Sequence, residues 1–283
     1  MNIIEMIKEG LRIALTSRAL WLFGFFVGIG TAANNGNRGH VPGTPAGGHF
    51  ALHASTGVTV LLVLGILVLI AACGFMYFVS EGALIEGVTR VRQGKAATVR
   101  EGWRDGLANW AVLFRLTVIY FTVSVGGILI LFAPALLALR FSGMAPAMMF
   151  AVPAVLIAVP WVVTLYMWKA FASRIAVLEN RQARDAIQKA RLFLHGRLMH
   201  GLKLIVASIL GRLIVVLAGV IGIAVAAAFA FGILKGLGMA HATVPVILLA
   251  SVTLLPVVFM LLAISGMTQS SIWTIGYLTQ EQK

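Results

Sequence analysis

The chain has 283 residues, of which 60% are apolar and 11% charged, with a mean hydropathy of +0.98. Soluble domains carry roughly 25% charged residues, so a water-soluble fold is excluded. The formal net charge of +13 sits beside apolar runs with no recognisable nucleic-acid module, so no nucleic-acid partner is expected.

Taken in chain order, Ile3, Ile4, Ile7, Leu11 and Leu15 recur at helical spacing opposite Glu5, Lys8, Glu9 and Arg12. This predicts an amphipathic helix at the membrane surface. Ala19 to Ala33 follows. It is shorter than the ~20 residues that cross a ~30 Å hydrocarbon core, but turns around Leu11 to Leu15 could extend it, and Trp21 suits an interface position. The alternative is a secretory signal, with Lys8, Arg12 and Arg18 before an apolar core ending in Thr31, Ala32 and Ala33. The patterned helix in place of a short basic leader favours a span. Gly24 and Gly28 form a GxxxG pair suited to close helix packing.

Asn34 to Gly57 is Gly-rich, contains Pro42 and Pro45, and reads as an outer loop. His49 and His53 have the i, i+4 spacing of a chelating pair, with His40 as a third candidate ligand. The surrounding glycines disfavour a rigid helix and no Cys or carboxylate is at hand outside, so no metal centre is expected. Val58 to Ser80 is the second span and holds Cys73, the only cysteine, so no intrachain disulfide can form. Gln93, Gly94 and Lys95 read as a turn, after which Thr98 and Glu101 make a capping box that opens a second interfacial helix.

Leu116 to Leu139 and Met144 to Trp168 are spans three and four. Ala183, Ala186, Ile187, Ala190 and Leu194 then oppose Arg184, Asp185, Gln188, Lys189 and Arg191, a third amphipathic helix. Leu213 to Leu234 and Val244 to Met267 complete six spans. Their continuity excludes a transmembrane barrel, whose strands alternate over ~10 residues. Pro134, Pro146, Pro153, Pro160, Pro245 and Pro256 interrupt spans three, four and six, where freed carbonyls could line a polar path or kinks could serve packing.

Of the 22 Lys and Arg, all but Arg38, Arg140 and Lys235 fall on one side of the spans. The positive-inside rule therefore predicts a multi-pass protein of a bacterial inner membrane with both termini cytoplasmic. Two internal matches suggest duplication. Ile7-Lys8-Glu9-Gly10-Leu11-Arg12 aligns with Val99-Arg100-Glu101-Gly102-Trp103-Arg104 at an offset of 92, with Ile187-Gln188-Lys189-Ala190 in the corresponding place 88 residues later. Independently, Phe78-Val79-Ser80-Glu81 through Glu86 aligns with Phe171-Ala172-Ser173-Arg174 through Glu179 at 93. The expected fold is thus an all-α integral membrane domain with about six transmembrane helices and three cytoplasmic amphipathic helices. It is built as three tandem parallel hairpin repeats at 1–90, 91–181 and 182–283. The simpler explanation is that interfacial helices resemble one another.

All nine carboxylates fall on the cytoplasmic side or in the tail, so the deep Asp or Glu of a proton-coupled transporter is missing. Glu86 and Glu179 hold matching positions, either around a vestibule or paired with Arg90, Arg92, Arg181 and Arg184. Arg184, Lys189, Arg191, Arg100 and Arg104 form a basic surface suited to anionic lipid headgroups or an acidic protein partner. No phosphate loop, nucleophile elbow or HExxH motif is present, so neither enzyme activity nor a cofactor is expected.

Glu179 followed by Ala186-Ile187-Gln188-Lys189-Ala190-Arg191, with the opening helix and Trp21-Leu22-Phe23-Gly24-Phe25-Phe26, resembles uncharacterised bacterial six-helix membrane proteins. These are similar to the membrane domain attached to some glycerophosphodiester phosphodiesterases. The catalytic barrel of those enzymes is absent here, so the resemblance implies a membrane module without phosphodiesterase activity. The expected function is a non-enzymatic module that docks a partner or anionic lipid. The alternative is a channel or carrier for a small solute, anionic ones included.

Overall fold

The computed structural model describes residues 3–34, 56–141, 143–195, 198–236 and 243–281, and the described residues form helices and short connections without strands. The helices are α1 (Ile3–Thr16), α2 (Trp21–Asn34), α3 (Thr56–Arg92), α4 (Val99–Phe141), α5 (Met144–Leu178), α6 (Ala183–Leu194), α7 (Leu198–Gly236) and α8 (Thr243–Glu281). Five of them, α3, α4, α5, α7 and α8, are long and apolar enough to cross a membrane, and the α1–α2 pair would make a sixth. The apolar runs expected from Val58 onward all lie inside these five helices. The three histidines proposed as ligands, His40, His49 and His53, lie outside the described residues.

Local chemistry sets the helix ends. At the end of α3, Gly94 takes φ +76° while the Lys95 amide donates to the Arg90 carbonyl. At the end of α5, Asn180 takes φ +52° while the Arg181 amide donates to the Ala176 carbonyl. Both are left-handed helix stops in which a 6→1 hydrogen bond satisfies an orphan carbonyl. Thr98 caps α4 as its spacing predicts, with the Glu101 amide donating to Thr98 Oγ1 at 3.3 Å and the Thr98 hydroxyl donating to Glu101 Oε2 at 2.9 Å.

Several expectations are overturned. The chain bends by 86° between α1 and the segment from Arg18 to Thr31, so the turns around Leu11 to Leu15 join the first span only as part of a broken one. Trp21 holds this bend by donating its indole N–H to the Ala14 carbonyl at 2.8 Å. The buried stripe of α1 is Met6, Ile7, Gly10, Ile13 and Ala14, whereas Ile4 and Leu15 remain exposed. Packing on α8, where Gly10 faces Ile272, selects that stripe. The second interfacial helix does not exist as a separate element: the cap at Thr98 opens a single helix of 43 residues, about 64 Å at 1.5 Å per residue, running through the third span. Pro134, Pro153, Pro160 and Pro256 lie inside α4, α5 and α8, as the sequence places them.

Packing concentrates at the basic end of the bundle. Leu116, Phe171, Ile175, Ala186, Leu194, Leu204, Trp273 and Tyr277 form the main core there, and α6 buries Ala186, Ala190 and Leu194 in it as its period predicts. Toward the other end α3 is unpacked: every residue from Thr59 to Cys73 is exposed. Lipid tails are as apolar as Leu, so a span gains little by burying an apolar face inside the bilayer, and the hydrophobic drive to pack is strongest where water is near.

Candidate functional site

Where α2, α3, α5 and α8 meet in this packed end, they line a partly open cavity of about 180 Å³. Each helix contributes one face at i, i+3/4 spacing, including Thr31 from α2, Tyr77 and Glu81 from α3, Lys169 and Arg174 from α5, and Trp273 from α8. Small residues bring the helices close enough. A Cβ at Gly24 or Gly28 of α2 would strike the carbonyls of Ala263 or Leu262, and Gly30 accepts the Tyr77 ring. Gly106 of α4 lies against Val79, two residues before Glu81 on α3. The GxxxG pair read from the sequence thus forms the α2–α8 crossing that closes one wall.

The wall is polar and buried. Glu81 is 9% exposed and Arg174 6%, yet they make no ion pair within 4.0 Å among the described residues. Arg174 spends one Nη1 on the Ala170 carbonyl at 2.9 Å and Ser173 Oγ at 3.1 Å. Its Nε, Glu81 Oε2, Gln269 Oε1, Ser270 Oγ and Trp273 Nε1 are buried with no protein partner. Gln269 donates to the Tyr166 hydroxyl at 3.0 Å, and Tyr166 meets Trp273 edge-on at 5.7 Å between centroids. Burying a charge costs several kcal/mol per ion, and an unpaired buried polar group about 1–3 kcal/mol, so this arrangement calls for a polar occupant. Among the described residues no group of three potential metal ligands occurs.

Sequence reasoning did not single out this site. Glu81 follows the expected end of the second span and Arg174 lies six residues beyond the fourth, so linear position marks them only as charges on the cytoplasmic side. The signal was present in the 93-residue alignment, which sets Ser80-Glu81 on Ser173-Arg174.

The residues that were singled out lie elsewhere. Glu179 is the cap residue just past α5, where Lys189 Nζ reaches both its oxygens at 2.6 Å, Tyr277 donates at 2.6 Å and Arg181 Nε at 2.8 Å. Glu86 lies inside α3 and makes no ion pair within 4.0 Å among the described residues; Arg90 pairs instead with Asp105 and, at 3.5 Å, Glu101. Neither Glu86 nor Glu179 lines the cavity between α2, α3, α5 and α8. Arg184 and Arg100 are exposed, Arg104 is exposed beside Asp105, and Arg191 lies over the Trp168 ring at 4.8 Å.

Burial pushes the Glu179 carboxyl upward, but the hydrogen bonds from Lys189, Tyr277 and Arg181 outweigh it and hold the group below the ordinary value of 4.5. A lowered folded value stabilises above the unfolded pKa and loses that contribution as pH falls through the folded one. Thermal stability in detergent is therefore expected to drop below about pH 4.5, with part of that acid limb missing in Glu179→Gln. Tyr277→Phe is expected to cost about 1.5–3 kcal/mol at neutral pH. An unchanged acid limb in Glu179→Gln would show that this cluster does not hold α6 in place.

A second feature is an apolar groove of about 500 Å³ between α2, α7 and α8, lined by Val215, Gly219, Ile223 and Leu261, with Arg212 at one end. Arg212 makes no ion pair among the described residues. No protein-family model matches the chain, and neither does a curated protein or a solved structure, so function is argued from the site itself.

Proposed function

We propose that the protein is a membrane-embedded binding protein of carrier type, which holds a small charged solute at the basic end of its spans. The observation that carries this reading is the pair Glu81 and Arg174, each at least nine-tenths buried, lining one cavity without pairing to each other. A structural ion pair would close on itself, and a solvated one would not be buried. The distribution of Lys and Arg supports a cytoplasmic location for this end and for both termini, and hence a solute that exchanges with the cytoplasm. The three helices that supply the charged and aromatic wall, α3, α5 and α8, are the second spans of the three proposed repeats. Proteoliposomes containing the full chain are expected to accumulate radiolabelled taurine or glycine betaine above empty vesicles, and Arg174→Gln to abolish this. Equal uptake by empty, wild-type and variant vesicles would sink the carrier reading.

A second reading, a module that docks anionic lipid, is favoured by the groove at Arg212. Its guanidinium sits at the expected inner edge of the fifth span, and the apolar groove runs along one face of α7 from there to Ile223, about 16 Å at 1.5 Å per residue. This combination fits the phosphate and one acyl chain of an anionic phospholipid, with Arg100, Arg184 and Arg191 adding a diffuse field worth ~1 kcal/mol per charge near the surface, while Lys189 and Arg104 are paired with Glu179 and Asp105. Native mass spectrometry with phosphatidylglycerol and phosphatidylcholine is expected to show one preferred anionic lipid that Arg212→Gln loses. Equal retention of both lipids by the wild type would rule the site out.

A further inference from the structure

We propose that the cavity between α2, α3, α5 and α8 binds a small zwitterion, its ammonium held by Glu81 and Tyr77 and its carboxylate or sulfonate by Arg174 and Lys169. This rests on the solute-binding reading and names the chemistry of the solute. Three observations select a zwitterion over a simple ion. Glu81 and Arg174 line the same cavity, carry opposite charge and each keep a buried polar atom without a protein partner. An anion alone would leave Glu81 Oε2 unpaired beside added negative charge, and a cation alone would do the same to Arg174. A molecule bearing both charges offsets both penalties at once.

The surroundings of each charge differ in the same sense. Tyr77 lies one helical turn from Glu81 on α3 and lines the same cavity, so an ammonium there has a carboxylate and an aromatic side chain beside it. On the α5 side the guanidinium of Arg174 and the half-buried Lys169 supply donors suited to a carboxylate or sulfonate. Gln269, Ser270 and Trp273 add an amide, a hydroxyl and an indole N–H on the α8 side. The cavity, about 180 Å³, is below the ~300–1,000 Å³ of sites for drug-sized ligands, which limits the occupant to a few heavy atoms.

The test is equilibrium binding to the purified full chain in detergent, by calorimetry, with four probes of similar size. Taurine and glycine betaine carry both charges, methanesulfonate only the negative one and tetramethylammonium only the positive one. The expected result is saturable binding of one or both zwitterions, at least roughly tenfold tighter than either single ion, the ratio of one lost charge-assisted contact. Glu81→Gln is expected to weaken the zwitterion while leaving methanesulfonate unchanged or tighter. Lys169→Gln, at a half-buried position that should not disturb folding, is expected to weaken zwitterion and methanesulfonate alike. Methanesulfonate binding as tightly as taurine, insensitive to Glu81→Gln, would overturn the zwitterion proposal and leave an anion site, with the solute-binding reading intact. No binding of any probe by well-folded wild type would overturn both.

Discussion

Gly24→Leu is expected to be among the most damaging single substitutions in the chain, costing on the order of 3 kcal/mol or more and abolishing solute binding together with stability. A Cβ at Gly24 would fall on the Ala263 carbonyl and within 2.6 Å of the Met267 side chain; one at Gly28 would meet the Leu262 backbone, and one at Gly266 the Gly24 carbonyl. The obstructing atoms are mostly backbone, so no rotamer change relieves the clash and α2 must move off α8. These helices carry Val27 and Thr31 on one side of the cavity and Gln269 and Ser270 on the other, so separation opens the wall as well. Gly65→Ala provides the contrast. Nothing lies within 4 Å of its Cβ, and in an exposed helix the change should be neutral or stabilise by about 0.5–1 kcal/mol. The check is the thermal midpoint in detergent with the monodispersity of each variant. A Gly24→Leu protein as stable as the wild type would mean that α2 does not cross α8 this closely.

What the residues disclosed in advance follows from the physics that each pattern reports. Span positions were legible because the length of an apolar run is a one-dimensional quantity set by the bilayer, and Val58 to Ser80 or Met144 to Trp168 needs no partner to be recognised. Helix punctuation was legible at Gly94 and at Thr98 with Glu101, since turn and cap chemistry is local. The bend after α1 was not, because the Trp21 to Ala14 hydrogen bond that secures it joins residues seven apart across a break in periodicity. Nor was the buried side of α1, where Ile4 and Ile7 are equally apolar and packing on α7 and α8 decides between faces.

The site itself fell between two categories. Glu81 and Arg174 sit where the chain leaves the apolar runs, so linear position marks them only as charges on the cytoplasmic side, while the bundle formed by α2, α5 and α8 keeps them out of water. The aligned serines give the clue in retrospect. Ser80 and Ser173 are both buried, and each precedes one of the two charges, so the match extends to the residues that face the interior rather than stopping at Glu86 and Glu179.

The charges themselves should show whether they are kept for folding or for a ligand. Removing one partner of a buried opposite-charge pair costs up to about 3–5 kcal/mol because the other is left uncompensated, whereas replacing both by apolar groups is often neutral or stabilising. Arg174→Met is therefore expected to destabilise the protein by a few kcal/mol, and Glu81→Met to do likewise, with Lys169 in the same wall softening the first of these. The double variant Glu81→Met/Arg174→Met is expected to melt close to the wild type, far above the sum of the single effects, while binding no zwitterion. A double-mutant cycle on thermal or denaturant midpoints, followed through the buried Trp273, reads the coupling directly. Strictly additive losses would show that the two charges do not sense each other across the cavity, and the shared site would fall with them. A strongly positive coupling with a stable, non-binding double variant would show that the two charges compensate each other across the cavity and that the zwitterion needs both.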